Sequence, residues 1–286
     1  KTYKVICISE GPKIEDINFQ HLPILFNREP SPIKDLFSLI QLSKLIFINR
    51  DAKKIVISTP KISLLTAIAC LLNFKRYIYL HRGAVYQNFN GIKFNIYKLI
   101  DKFIITFSEN TSYISVSLFN WIKKNLELKN ITYNRKCNSS KGVNLKRFYV
   151  KKEISNHEIT RIGFCGRVAT DKGYEELINL VDTYSTNPNV LIKIKGKIEL
   201  DGNDKKKFLD LINKEKIEFE RWDENVTDFY QNIDLLFFPS KREGFGNVAV
   251  EAAACGVPTI AFNIPGVSDA IEHDVSGILV NQEDSI

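Results

Sequence analysis

The sequence predicts an α/β protein made of two doubly wound, Rossmann-like domains, each with a parallel sheet. Three observations carry this. At 286 residues the chain has the length of two domains rather than one. Short runs rich in Ile, Val and aromatics alternate with segments whose apolar residues recur at helical spacing, the signature of parallel strands joined by helices. This alternation stops in a polar stretch, Asn138 to Glu158, and then begins again. The expected domains are therefore 1–150 and 151–286.

In the first domain, strands are predicted at Val5 to Ser9, Lys54 to Ser58, Tyr77 to Leu80 and Phe103 to Phe107. Ser31-Pro32 pairs a capping residue with a proline suited to a first helical turn, and Leu36, Leu39, Ile40, Ile46 and Phe47 follow near helical spacing. Residues 62–72 read as a second helix, nearly all apolar and hence sandwiched. The second domain predicts strands at 162–164, 190–194, 217–219, 234–238, 259–262 and 277–280. Its helices are expected at 173–182, 205–214, 225–231 and 247–255.

Composition narrows the class. Apolar residues make up 44% and charged residues 26%, which excludes disordered and collagen-like chains. No run approaches the length of a spanning helix, and the first residues lack the pattern of a signal peptide. Cys7, Cys70, Cys137, Cys165 and Cys255 are odd in number, with neither C-x-x-C nor zinc spacing, so buried thiols in a reducing cytoplasm are expected. The chain contains no methionine, even at position 1, so a longer native chain is expected. Residues 1–150 hold 24 Lys and Arg against 9 Asp and Glu, a charge of +15, whereas 151–286 carry −8. A basic first half suits an anionic partner: a membrane surface, a phosphorylated acceptor or nucleic acid. A lysine-rich solvated surface would look the same.

The strongest motif is Pro239-Ser240-Lys241-Arg242-Glu243-Gly244-Phe245-Gly246-Asn247, running into Val248-Ala249-Val250-Glu251 and a helix that stops at Gly256-Val257-Pro258. Gly244 and Gly246 let a ligand approach backbone amides closely. Glu243 falls in the strand-to-helix loop and Glu251 more than a turn into the helix, a spacing that lets two carboxylates grip different hydroxyls of one ligand. A second loop, Gly166-Arg167-Val168-Ala169-Thr170-Asp171-Lys172-Gly173, also lies between strand and helix. Helix N-termini favour anions, Arg167 can bind phosphate with two parallel donors, and Lys172 adds a point charge. Together these groups predict a diphosphate site.

These residues, with Thr59-Pro60-Lys61, Tyr77-Ile78-Tyr79-Leu80-His81, Ser108-Glu109 and Lys141-Gly142-Val143-Asn144, give nearly the whole chain a resemblance to glycosyltransferase family 4. That family has the GT-B fold, with two domains facing a cleft, and retains configuration at the transferred sugar. Within it the chain is similar to bacterial enzymes of capsule, O-antigen and lipid-linked glycan assembly, including N-acetylgalactosaminyltransferases acting on undecaprenyl-diphosphate sugars. The resemblance implies that Gly166, Arg167 and Lys172 hold the diphosphate of a UDP-sugar. It implies that Glu251 binds ribose, and that Glu243 with Gly244, Phe245, Gly246 and Asn247 binds sugar and phosphate. His81 would approach the donor sugar. Lys61, Arg82 and Ser108 are candidates for acceptor contact.

No metal or other cofactor is expected, because no D-x-D pattern is present and Lys and Arg stand where a divalent cation would. The implied acceptor is a polyprenyl-diphosphate sugar or another glycan. The implied location is the cytoplasmic face of the bacterial membrane, held peripherally, with no nucleic acid involved. Two departures from the family pattern are expected: a start at what would be the second strand, without the first strand and its glycine-rich loop, and an end before the closing helices, so that a longer native enzyme is expected at both ends. Three rivals are a GT-B epimerase or phosphorylase, a non-catalytic UDP-binding assembly subunit, and a nucleic-acid-binding protein, the last without any supporting motif.

Overall fold

The computed structural model of the chain describes residues 6–9, 20–24, 31–128, 131, 142–150, 158–214, 216–223 and 225–284. The chain packs as two compact units, Lys1–Arg82 with Phe89–Ser112, and Gly83–Asn88 with Tyr113–Ile286. The junction expected after residue 150 falls on residues 151–157, outside those described; Lys141 and Cys137 lie outside them too.

The first unit opens with β1 (Ile6–Ser9), which pairs in parallel with an unpredicted strand, β2 (Gln20–Pro23). His21, read from the sequence as a loop residue, is buried within β2. Helix α1 (Pro32–Ile48) begins where expected: Ser31 is extended, Pro32 occupies the first turn, and Asp35 accepts a hydrogen bond from the Ser31 N–H at 3.0 Å. Then come β3 (Val56–Ile57), α2 (Pro60–Leu72) and β4 (Ile78–His81), with β3 and β4 parallel.

The strand predicted at 103–107 is instead the last turn and a half of α3 (Gly91–Phe107), and the strand here is β5 (Asn110–Tyr113). Periodicity explains the correction. Asp101, Ile104 and Ile105 are buried at helical spacing, and Phe103 meets Phe107 one turn later at 4.9 Å between ring centroids. β-Branched content favoured a strand, but the burial of one helical face decides. The strands form two separate sheets, β1-β2 and β3-β4-β5.

In the second unit, α4 (Val116–Leu126) was not predicted; Ser115 caps it, its Oγ accepting from Leu118 N. The rest follows the predicted order. It comprises β6 (Thr160–Cys165), α5 (Tyr174–Tyr184), β7 (Val190–Gly196), α6 (Gly202–Asn213), β8 (Glu218–Arg221) and α7 (Thr227–Gln231), then β9 (Leu235–Phe238), α8 (Asn247–Ala254), β10 (Thr259–Phe262) and β11 (Gly277–Val280). The fold class is α/β, as predicted.

All six strands are parallel, in the order β11-β10-β9-β6-β7-β8. The chain runs outward from β6 through β7 to β8, then returns to the other side of β6 and builds β9, β10 and β11. The order therefore reverses between β6 and β9. Both faces of this sheet are covered: Phe164 packs with α5 and α6, and the next residue, Cys165, packs with α7 and α8. Ligands of such sheets bind beyond the carboxyl ends of the strands at the reversal, where helices on opposite faces leave a crevice.

Candidate functional site

Both predicted loops leave the sheet at that reversal. The loop 166–173 follows β6, the loop 239–246 follows β9, and the two strands are neighbours. A glycine lets the loops touch. Gly173 is left-handed at φ 81°, and a Cβ there would sit 2.2 Å from the Pro239 carbonyl oxygen. Lys241 N–H donates to the Asp171 carbonyl at 3.1 Å, tying loop to loop through the backbone.

Charged side chains complete the join. Lys172 Nζ lies 2.5 Å from Glu243 Oε1, and both groups are largely shielded from solvent. Ser240, fully buried, donates from Oγ to the same Glu243 oxygen at 2.8 Å. Arg167 is clamped between Glu199 Oε2 at 2.6 Å and Asp171 Oδ2 at 3.0 Å, and Arg242 reaches Asp171 Oδ2 at 3.3 Å. Burial on its own would push the Asp171 carboxyl up, but the charges of Arg167, Lys172 and Arg242 outweigh it and hold the group below its usual value. Glu199 is likewise lowered, first by its hydrogen bond from Arg167.

Glu251 stands in α8, where its Oε2 accepts from the Tyr230 hydroxyl at 3.1 Å. Burial raises Tyr230 well above the usual phenol value, so the hydroxyl keeps its proton and donates. Burial also pushes the neighbouring Cys165 thiol up to about 12, which leaves it inert, as expected of a buried thiol. Gly246, left-handed at φ 73°, turns the chain into α8 and aims the N–H groups of its first turn back toward the loop. The loop after β10 adds a third wall: at Gly266 a Cβ would lie 2.7 Å from the Glu243 carbonyl oxygen. Asn88 Nδ2 donates to the Lys241 carbonyl at 3.0 Å, fastening the segment Gly83–Asn88 to the same loop.

The predicted set Gly166, Arg167, Lys172, Glu243, Gly244, Phe245, Gly246 and Asn247 thus lies on two loops that touch, with Glu251 one turn into the helix that the second loop enters. Sequence reasoning missed Asp171, Glu199, Ser240 and Gly266. Asp171 and Ser240 sat inside quoted motifs and could have been found as polar residues beside cations. Glu199 and Gly266 carried no local signal, because their partners are distant in sequence.

The first unit places its candidates differently. His81, expected to approach a sugar, has only 1% of its surface exposed; its Nε2 lies 2.8 Å from Asp101 Oδ2, and Tyr79 donates to the other oxygen of that carboxylate at 3.3 Å. The ring belongs to the interior in this conformation because α3 presents a buried carboxylate to the end of β4. Lys61 is paired with Asp35 at 2.7 Å. Ser108 ends α3, donating to the Ile105 carbonyl at 2.8 Å and sharing a hydrogen bond with Thr111. Arg82 is exposed beside His81. Among the described residues no three His, Cys, Asp or Glu side chains gather as metal ligands would.

Comparison with known proteins bears on the fold and on what the chain is similar to. Residues 146–286 match the family described as "Glycosyl transferases group 1". The capsular polysaccharide biosynthesis glycosyltransferase CapM of Staphylococcus aureus is 29% identical over 294 aligned positions, which span 98% of this chain and 76% of CapM. Among solved structures, sucrose-phosphate synthase of Thermosynechococcus elongatus superposes with a TM-score of 0.75 at 17% identity, over 98% of this chain and 76% of that one. HepE of Anabaena, in complex with UDP, does so with a TM-score of 0.68 at 16% identity, over 99% of this chain and 87% of its own. These structural likenesses establish the fold, α/β of the GT-B kind.

Two outcomes test the site. Gly173→Ala adds a Cβ against the Pro239 carbonyl in a left-handed conformation, and should lower stability by about 2–4 kcal/mol in denaturant titration. The second concerns Asp171. Its folded value lies below the roughly 3.9 of an unfolded aspartate, so the stability it contributes is full above that pH and is lost as pH falls through the folded value. Asp171→Asn should therefore flatten the acid limb of a stability-against-pH curve below about pH 4; an unchanged limb would mean that the carboxylate is not held by these cations.

Proposed function

We propose, from the match of residues 146–286 to the group 1 glycosyl transferases, a retaining transfer of a hexose or N-acetylhexosamine from a UDP-sugar to a glycan acceptor in capsular or related surface polysaccharide assembly. The observation that carries this reading is that Arg167, held by Asp171, and Lys172, paired with Glu243, stand where two loops touch at the strand-order reversal. The loop that carries these two cations touches the glycine-bordered loop that leads into the N-terminus of α8, an arrangement suited to a diphosphate. The HepE complex, whose ligand is UDP, and the similarity to CapM support the nucleotide and the pathway class.

In the proposed reaction the bond from the anomeric carbon to the β-phosphate oxygen breaks as the acceptor hydroxyl bonds to that carbon from the same face. The acceptor proton passes to the departing phosphate oxygen. Negative charge grows on the diphosphate, so Arg167, Lys172 and the N–H groups at the start of α8 lower the barrier by being in place beforehand. Lys172 then exchanges its Glu243 oxygen for a phosphate oxygen, which frees Glu243 to accept from a sugar hydroxyl. Glu251, oriented by Tyr230, grips the ribose hydroxyls. Neither glutamate acts as a hydrolase nucleophile.

The acceptor is a polyprenyl-diphosphate sugar or a comparable glycan, and the protein works at the inner face of a bacterial membrane, held peripherally. The +15 charge of residues 1–150 supports this. No helix among the described residues is long and apolar enough to cross a membrane.

The test is a melting-temperature shift in EDTA with UDP, with GDP and ADP as controls. UDP should raise the transition selectively, and Arg167→Ala and Glu251→Ala should each abolish the rise. In a transfer assay Arg167→Ala should lower the rate about 100- to 1,000-fold. A shift that survives both substitutions would place the nucleotide elsewhere and overturn the reading.

A further inference from the structure

Helix α1 carries large apolar side chains on both its inner and its outer side, yet only the inner side is covered. Ser38, Leu42 and Ile46 face inward and the helix packs on α2. The opposite arc presents Ile33, Leu36, Phe37, Ile40, Phe47 and Ile48 to solvent, with Ile33 73%, Phe37 68% and Phe47 63% exposed. An exposed helix of a globular protein ordinarily turns a polar face outward. Here that face carries six large apolar side chains, far more than the scattered single residues of an ordinary surface.

A second feature adjoins it. Asn73, at the end of α2, donates from Nδ2 to Ser43 Oγ at 2.8 Å, and Ser43 lies one helical turn from both Ile40 and Phe47. The next residue, Phe74, is 96% exposed and sits in the left-handed region at φ 53°, a conformation that disfavours a bulky side chain. The turn thus carries an aromatic ring out beside the apolar arc.

The charges around these side chains have one prevailing sign. Lys34 and Lys44 lie on the outer arc, while Asp35, the helix's acid, turns inward and is paired with Lys61. Exposed Arg50 and Lys53 follow the helix with Asp51 between them, and Lys75 and Arg76 follow Phe74. We propose that the outer face of α1, together with the Phe74 turn, docks this unit on an anionic lipid surface. The helix would lie in the plane of the headgroups, with phenylalanines and isoleucines in the acyl boundary and lysine ammoniums reaching back to lipid phosphates. The inference rests on the peripheral-membrane reading above and assigns it a surface. Charge complementarity selects lipid over a second copy of the chain, because a second copy would bring the same lysines.

The test is flotation of the full chain with vesicles of phosphatidylcholine, alone or with one third phosphatidylglycerol, at low salt and at about 1 M salt. Binding should require the anionic lipid and weaken in high salt. Phe37→Glu with Phe47→Glu should lower partitioning at least about tenfold, and Lys34→Glu with Lys44→Glu by several-fold. Because these side chains are exposed, the variants should melt as the parent does and keep its UDP shift. Failure of the parent to float, equal flotation of the variants, or a dimer that Phe37→Glu dissociates would each overturn the proposal. A lost UDP shift with normal flotation would instead count against the nucleotide-sugar reading alone.

Discussion

The reversal of strand order between β6 and β9 is the constraint on which the second unit's site depends. Two parallel neighbours reached from opposite directions send their following helices to opposite faces of the sheet, α5 among one set of core side chains and α8 among the other. The loops leading into those helices start side by side, and between them the polar ends of strands and helices collect. Gly173 permits the contact, since any side chain there would strike the Pro239 carbonyl. Once the loops touch, Lys172 meets Glu243, Arg242 meets Asp171, and Ser240 finds a partner in the interior.

The electrostatics follow from this closeness. Arg167, Lys172 and Arg242 converge where solvent is partly excluded, and like charges gathered so closely would repel without neighbouring anions. Asp171, Glu199 and Glu243 supply those anions. The pairs keep the cations extended and oriented, so a phosphate-bearing ligand meets donors already in place and displaces carboxylates rather than ordering loose side chains. Glu251 is managed separately, by a buried phenol that remains protonated and donates to it.

The first unit follows a different physical logic. Its strands are short and divided between two sheets, and two of its carboxylates are taken up by neighbouring side chains: His81 and Tyr79 share Asp101, and Lys61 pairs with Asp35. What it leaves outside is an apolar arc of α1 bordered by basic residues. The contrast matches the division of charge between the two halves of the chain, basic before residue 150 and acidic after it.

The alternation of strand and helix in residues 158–284, the glycine-bordered loops and the paired glutamates were all legible in order, because each is local: periodicity, capping and glycine punctuation act over a few residues. The segment 103–107 was misread because Phe, Ile and Thr suit strand and helix alike, and only the buried face of α3 decides between them. The sequence by itself determined which residue types stand after each strand. Tertiary structure decided which of them meet. It alone set Glu199 against Arg167, Gly266 against the Glu243 carbonyl and His81 against a buried aspartate, because those contacts join residues 20 or more positions apart, and no local pattern records a partner that only the packing of the sheets brings near.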